Sequence, residues 1–399
     1  MKSATLKRLL DNKHYSELRR RIIRRAMRPL FHASDARLAP ATELSGADVR
    51  RILICRPNHR LGNLLLLTPL VIELERTFPN ARIDIVLAGE HGAELFRAFR
   101  RIGHIYTLSR RMVRHPVAVL RTIMAIRRVH YDLALDPCEA SQSSRLLAAI
   151  AGARHVIGIP RGQSGREGSA PMDHAPTHMA QWPVFLLRSG LAYPSLRLAE
   201  DYPPMDIRLS PEEQQHARAI LEHATHAEDR LTQPVIGLFA AATGAKGYDV
   251  DWWQRFIRIV EARHPDAAIV EIVPADGRPR LAAELPSFGS PSPREVAAVI
   301  ANMTCFVSAD CGVMHLANAA GASTIGLFKA SDSLKYAPYG HGSQALDTSG
   351  KSPEEVAEQA STLIGTFRTE PPASPHVRAN GNRMATATLD ALSPEPHAH

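Results

Sequence analysis

The residues of this chain best placed to do chemistry lie in the run Val307-Ser308-Ala309-Asp310-Cys311-Gly312-Val313-Met314-His315-Leu316. An apolar segment ends there on a carboxylate and a glycine, then passes at once into helix-forming residues. Glycine lets backbone approach a ligand closely, and the unpaired N–H groups of a helix's first turn favour an anion, so a phosphate group is the expected ligand. The pattern predicts a buried parallel strand over 304–307 and a helix over 314–320 stopped by Gly321. His315 is expected to face the same crevice. Any doubly wound α/β protein can own such a turn, so a second segment has to decide what it is for.

That second segment is 51–70, RILICRPNHRLGNLLLLTPL, which reads as an apolar strand, a polar loop containing Gly62 and a helix opening near Asn63. With the 307–316 run it resembles glycosyltransferase family 9, the ADP-heptose:lipopolysaccharide heptosyltransferases. Their first motif is a strand, a basic-Gly-Asp loop and an apolar helix, and their second is Asp-(Ser/Thr)-Gly-x-x-His. The resemblance spans residues 50–345 and is reinforced by Thr77-Phe78-Pro79-Asn80-Ala81-Arg82-Ile83-Asp84, by Gly326-Leu327-Phe328 with Asp332, and by Pro338-Tyr339-Gly340. It implies a GT-B α/β architecture, two Rossmann-like domains facing across a cleft. It also implies inverting, metal-independent transfer of a sugar, heptose by the resemblance, from a nucleotide sugar to a lipopolysaccharide core or related glycolipid. No cofactor or metal is then expected, the donor being a substrate.

Residue by residue, Asp310, Gly312 and His315 match the second motif, and Cys311 replaces its Ser or Thr with a weaker hydrogen-bond partner. Lys246, in Ala241-Ala242-Thr243-Gly244-Ala245-Lys246, takes the place of the family's diphosphate-binding lysine. Gly62 matches the glycine of the first motif, but Asn63 stands where the family has its general-base aspartate. An amide can orient a hydroxyl but cannot take its proton, and loss of a general base typically forfeits about a hundredfold to ten-thousandfold in rate. Three explanations compete. His59, Glu90-His91, Asp136 or Glu139 supplies the base; or the chain is a distinct branch with another sugar or acceptor; or it is a binding-only relative without turnover. Lys329, where the family usually has glycine, either adds phosphate affinity or is simply solvated.

The elements that must position these residues alternate. A strand over 51–55, a helix over 63–77, a strand over 83–87, a helix over 92–99, a basic helix over 117–129, and strands over 133–135 and 156–158 form one Rossmann-like half. Regular patterning fades over 163–211, read as a linker or irregular excursion. Ser210-Pro211-Glu212-Glu213 then starts a helix. Strands at 235–239, 268–273 and 305–308 alternate with helices at 252–263 and 293–301 to make a second half. The expected division is a basic extension over 1–48, an acceptor domain over 49–200, a nucleotide-sugar domain over 201–368 and a disordered tail over 369–399. Gly340-x-Gly342 lacks a preceding strand and Gly350-Lys351-Ser352 lacks the upstream glycine of a phosphate loop, so both are read as decoys.

Residues 1–30 carry ten Lys or Arg against Asp11 and Glu17, leaving the rest of the 399-residue chain with 38 basic and 38 acidic residues. The formal charge of +8 is therefore a property of the extension. Its leucines and isoleucines recur at near-helical spacing. That suits peripheral contact with an anionic membrane, or docking of the stripe on the protein's own body. Nucleic acid is not an expected partner, since aromatic interleaving and nucleic-acid-binding motifs are lacking. Four scattered cysteines, Cys55, Cys138, Cys305 and Cys311, argue for buried free thiols in a cytoplasmic protein. No apolar run is long enough to span a bilayer.

Overall fold

The computed structural model describes residues 49–89, 92–109, 115–138, 141–158, 175–191, 201–225, 233–274, 276–281 and 285–369. The basic extension 1–48, Glu90, His91, Glu139 and the segment 370–399 lie outside the described residues. The chain divides into two compact units: one runs to Arg60 and resumes over Leu67–Pro203, and the other takes Leu61–Leu66 together with the chain from Pro204 onward.

The elements up to Pro203 are β1 (Arg51–Cys55), α1 (Leu61–Leu65), α2 (Thr68–Thr77), β2 (Arg82–Ala88), α3 (Gly92–Leu95), β3 (Ile102–Leu108), α4 (Pro116–Val129), β4 (Leu133–Leu135), α5 (Gln142–Ile150), β5 (His155–Ile157) and α6 (Trp182–Ser189). The strands form one parallel sheet in the order β3-β2-β1-β4-β5. Central β1 is buried at Ile52, Leu53, Ile54 and Cys55. This is why it reads as an unbroken apolar run: a parallel strand covered by helices on both faces has no solvent side to mark.

Two sequence expectations need correcting here. The single helix expected over 63–77 is two helices, with a turn at Leu66-Leu67 between α1 and α2. Pro69 is the cause: its ring removes the N–H that a continuous helix would bond to the Leu65 carbonyl and crowds that carbonyl, so a new helix starts with proline in its first turn. The irregular excursion expected over 163–211 contains α6, of which Trp182 through Arg188 are all buried. A helix covered nearly all round has no amphipathic period to detect. Its Arg188 pairs with Glu73 of α2 at 2.6 Å, both side chains being almost fully buried.

The second unit continues with α7 (Pro211–Ala224), β6 (Val235–Phe239), α8 (Val250–Arg263), β7 (Ala268–Ile272), β8 (Ser287–Phe288), α9 (Pro293–Ala301), β9 (Cys305–Ala309), α10 (Gly312–Ala319), β10 (Thr324–Phe328), α11 (Ser333–Tyr336), β11 (Gln344–Asp347) and α12 (Pro353–Thr369). Its sheet is parallel with the order β11-β10-β9-β6-β7-β8. The core gathers Ile236, Leu238, Trp253, Phe256, Val307 and Ile325 with the buried face of α12. The Ser210 start has the geometry its sequence suggests. The Ser210 hydroxyl accepts from the Glu213 amide and the Glu213 carboxylate accepts from the Ser210 amide, a reciprocal cap. Gly350-Lys351-Ser352 is likewise a turn into a cap, with Ser352 and Glu355 closing the same box at the head of α12. All four cysteines are free thiols, three buried and Cys311 half-buried.

Candidate active site

Strand order brings the site together. β10, β9 and β6 are neighbours in the second sheet, so the segments leaving their carboxyl ends emerge side by side, where open α/β sheets take their ligands. Behind β6, Gly244 turns the chain at a φ of +65°, a conformation suited to glycine, and Gly244–Lys246 forms one 3-10 turn. Asp249 then caps α8 by accepting the Trp252 amide at 2.8 Å. Behind β9 come Asp310 and Cys311, and α10 begins at Gly312. Behind β10 come Lys329, Ala330 and Ser331.

The side chains from these three loops converge on one carboxylate. Lys246 Nζ donates to Asp310 Oδ2 at 2.5 Å, and the Ser331 hydroxyl donates to the same oxygen. The Asp310 amide donates to the Leu327 carbonyl at 3.1 Å, fixing the loop to the sheet. The Asp310 side chain is 4% exposed and that of Lys246 is 38% exposed. A buried anion thus anchors a cation that still reaches solvent, which is how a lysine is aimed at a phosphate without being buried itself. The Lys246 ammonium also lies 5.7 Å from the centre of the Tyr336 ring, whose other neighbour is His315 at 6.5 Å. Lys329 is exposed, with its ammonium 5.5 Å over the Tyr248 ring.

The first motif reaches this site through α1. Although it follows β1 in the chain, α1 packs on α10 within the second unit. The two motif glycines face each other there: a methyl on Gly62 would stand 2.9 Å from Cδ2 of His315, and one on Gly312 would stand 3.1 Å from the Gly62 amide nitrogen. Only two glycines allow this approach of helix starts. Asn63, next in α1, is half-buried. His315 is buried on α10. Burial pushes the Cys311 thiol up, while the Ser308 hydroxyl and the Met314 and Val313 amides draw it partway back.

Of the sequence-predicted residues, Gly62, Asn63, Lys246, Asp310, Cys311, Gly312 and His315 all fall in the second unit. His59 is exposed in the first unit, in the loop where the Asn58 side chain accepts the Arg60 amide. Asp136, offered as a surrogate base, is fully buried in the first unit. Its Oδ1 accepts the Cys138 amide at 3.2 Å and meets the Ser144 hydroxyl, so it is committed to holding its own loop. Burial raises it to about 6, against the lowering effects of Ser144, Cys138, Arg145 and Arg56. Ser331 and Tyr336 went unpredicted, since neither residue type nor spacing marks them. Among the described residues no group of three or more His, Cys, Asp or Glu side chains is arranged to hold a metal ion, and no helix is long and apolar enough to cross a membrane.

The glycosyltransferase family 9 (heptosyltransferase) model matches residues 119–363. That span contains Lys246 and Asp310 through His315, and begins beyond Asn63. The fold is similar to the crystal structure of a glycosyl transferase family 9 protein from Veillonella parvula, with 17% identity and a TM-score of 0.63 over 81% of this chain and 99% of that one. It is also similar to E. coli ADP-heptose lps heptosyltransferase II, with 17% identity and a TM-score of 0.60 over 80% and 99% of the two chains. E. coli heptosyltransferase WaaC is similar at 18% identity and a TM-score of 0.56 over 79% and 99%. No curated protein sequence is similar enough to this chain to count as a match.

Proposed function

The chain belongs to glycosyltransferase family 9, and from that membership we propose that it transfers heptose from ADP-heptose to a lipopolysaccharide core or related glycolipid, with inversion, at the cytoplasmic face of a membrane. The observation that carries this reading is the Lys246–Asp310–Ser331 convergence beside the start of α10. Transfer from a nucleotide sugar leaves a diphosphate whose growing charge must be compensated. Lys246 supplies a held cation for it, and the first-turn N–H groups of α10 supply oriented dipoles. Solved structures of WaaC hold ADP and ADP-2-deoxy-2-fluoro heptose, which supports an adenosine diphosphate sugar as the donor.

The acceptor side is carried by Asn63 and His59. The Asn63 amide orients the attacking hydroxyl, and the proton goes to another group. His59 is our assignment: it is exposed and four residues upstream, so the extended chain bounds its Cα to within about 14 Å of that of Asn63.

The test is nucleoside diphosphate release from a panel of nucleotide sugars that includes ADP-heptose, with and without lipopolysaccharide-core acceptor. Acceptor-dependent release from ADP-heptose that disappears in Lys246→Ala supports transfer, and its loss in His59→Ala identifies the base. Donor binding without release by the natural chain, with release appearing in Asn63→Asp, overturns the catalytic reading in favour of a binding-only relative.

A further inference from the structure

Helix α4 is anomalous for a helix on the outside of a parallel sheet, because it carries large apolar residues outward as well as packing Ile123, Ile126 and Val129 on the core. Of its fourteen residues only Ile126 is buried. Five large hydrophobic side chains are strongly exposed among the described residues, and three of them are on this helix: Val117 at 60%, Leu120 at 55% and Met124 at 42%. They recur at i, i+3 and i+7, which puts them in one stripe on the side opposite Ile126. The same outward side carries Arg121, Arg127 and Arg128, all exposed.

The charge around the stripe has one sign. Between Glu94 and Asp132 the sequence holds nine arginines and neither Asp nor Glu. Beside the carboxyl end of α4, Arg127 and Arg154 line an open depression of about 460 Å³ with Gly152, Ala153 and Val156. Apolar tips interleaved with guanidinium groups suit the boundary layer of a bilayer, where methylene stems and leucines sit among acyl chains and the charged heads meet phosphates. Protein interfaces exclude charge from their centres, and two copies of this face would set like charges together. A nucleic acid would use the arginines but leave the stripe exposed to water.

We propose that α4 is a membrane-docking surface that lays Val117, Leu120 and Met124 into the headgroup region of an anionic bilayer, with Arg121, Arg127, Arg128 and Arg154 on lipid phosphates. This inference goes beyond the transfer chemistry and holds whichever sugar is moved. It is also distinct from any contact made by residues 1–30. The start of α4 follows the carboxyl end of β3, so docking here brings the ligand-binding edge of the first sheet to the surface that carries a lipid-anchored acceptor.

The experiment uses the full chain with Leu120→Trp and vesicles of phosphatidylcholine with or without phosphatidylglycerol, their acyl chains brominated. The natural chain, which keeps Trp182, Trp252 and Trp253, gives the background. Expected are a blue shift and quenching of the new indole on the phosphatidylglycerol vesicles. Partitioning of a Leu120→Glu/Met124→Glu chain with unchanged thermal melting should fall by about tenfold or more. An unquenched indole on a chain that still sediments with the vesicles overturns the proposal, because binding then lies elsewhere. So does failure of the natural chain to bind anionic vesicles, or unchanged partitioning of the double variant. Binding to duplex DNA or RNA that exceeds binding to the anionic vesicles overturns it in favour of a nucleic-acid face.

Discussion

The ammonium of Lys246 and the carboxylate of Asp310 lie 2.5 Å apart across 64 residues of sequence, because β6 and β9 are hydrogen-bonded neighbours. The pairing divides the labour at this site. The carboxylate stays buried and holds the cation by one oxygen, while the cation keeps enough exposure to meet a diphosphate.

Removing the ammonium should therefore cost activity and stability together. In Lys246→Ala the diphosphate loses its cation, and kcat/KM is expected to fall by about a hundredfold or more. Asp310 is left buried with only Ser331 as side-chain partner, which lowers stability by about 1–3 kcal/mol. Steady-state kinetics and urea melts on the same preparation read both effects. An activity loss in Lys246→Ala smaller than about threefold would remove this lysine from catalysis.

Asn63 makes the pH profile informative. With an amide at this position and His59 as proton acceptor, kcat should show an acid limb that His59→Ala removes. In Asn63→Asp a carboxylate becomes available, and the limb should move to lower pH. Profiles of kcat for the two chains and for His59→Ala decide it: a limb unmoved by either substitution would mean that neither residue handles the proton.

How much of this was legible before the structure depends on whether the signal was local. Val235–Phe239 and Pro293–Ala301 were readable to the residue, since apolar runs, caps and proline mark them along the chain. Strand β3 was not, because at the edge of its sheet Ile102–Leu108 buries only Tyr106 and Leu108 and shows neither a continuous apolar run nor a clean alternation. The motif residues could be matched one by one, but the convergence of Lys246, Asp310 and Ser331 follows from the β10-β9-β6 order, which no local pattern encodes. Asp136 shows the reverse error. It does follow a strand, yet Ser144 and the Cys138 amide claim it.

The facing glycines predict a contrast. A methyl at Gly62 meets the buried His315 ring at 2.9 Å and one at Gly312 meets Leu61 Cβ at 3.1 Å, so each alanine variant must push α1 away from α10. Gly62→Ala and Gly312→Ala are expected to destabilise by about 1–3 kcal/mol and to raise the donor KM. Gly365 lies in α12 with open space around its would-be Cβ, so Gly365→Ala should stabilise by about 0.5–1 kcal/mol. Thermal melts of the three variants against the natural chain check the order.

Cys311→Ser restores the hydroxyl that the family motif carries. The site at the head of α10 is extended, with φ −156° and ψ −179°, a backbone in which a serine oxygen caps the following amides better than sulfur does. Helix stability should rise by about 0.5–1 kcal/mol and the donor KM should fall or hold. A rise in KM would mean that the thiol itself contacts the donor.

Asp136 sets a slope in stability with pH. The Ser144 hydroxyl meets both the Cys55 carbonyl and Asp136 Oδ1, and its hydrogen bond to the carboxylate favours the ionised form. Burial outweighs it and raises the carboxyl from 3.8 to about 6. Between those values the folded state binds more protons than the unfolded state, so unfolding free energy falls as pH rises. The contribution is full below about pH 4 and is lost above about pH 6, amounting to about 3 kcal/mol at 1.4 kcal/mol per unit. Arg145, 3.8 Å away, and Arg56, held to the Cys138 sulfur at 2.6 Å, oppose the shift and keep it from growing larger. A side-chain amide does not titrate in this range, so for an Asp136→Asn chain the difference in urea-melt free energy, variant minus natural, should climb from about pH 4.5 to about pH 7. A difference flat across that range would mean that the carboxyl is ionised throughout and that its cluster is held by charge.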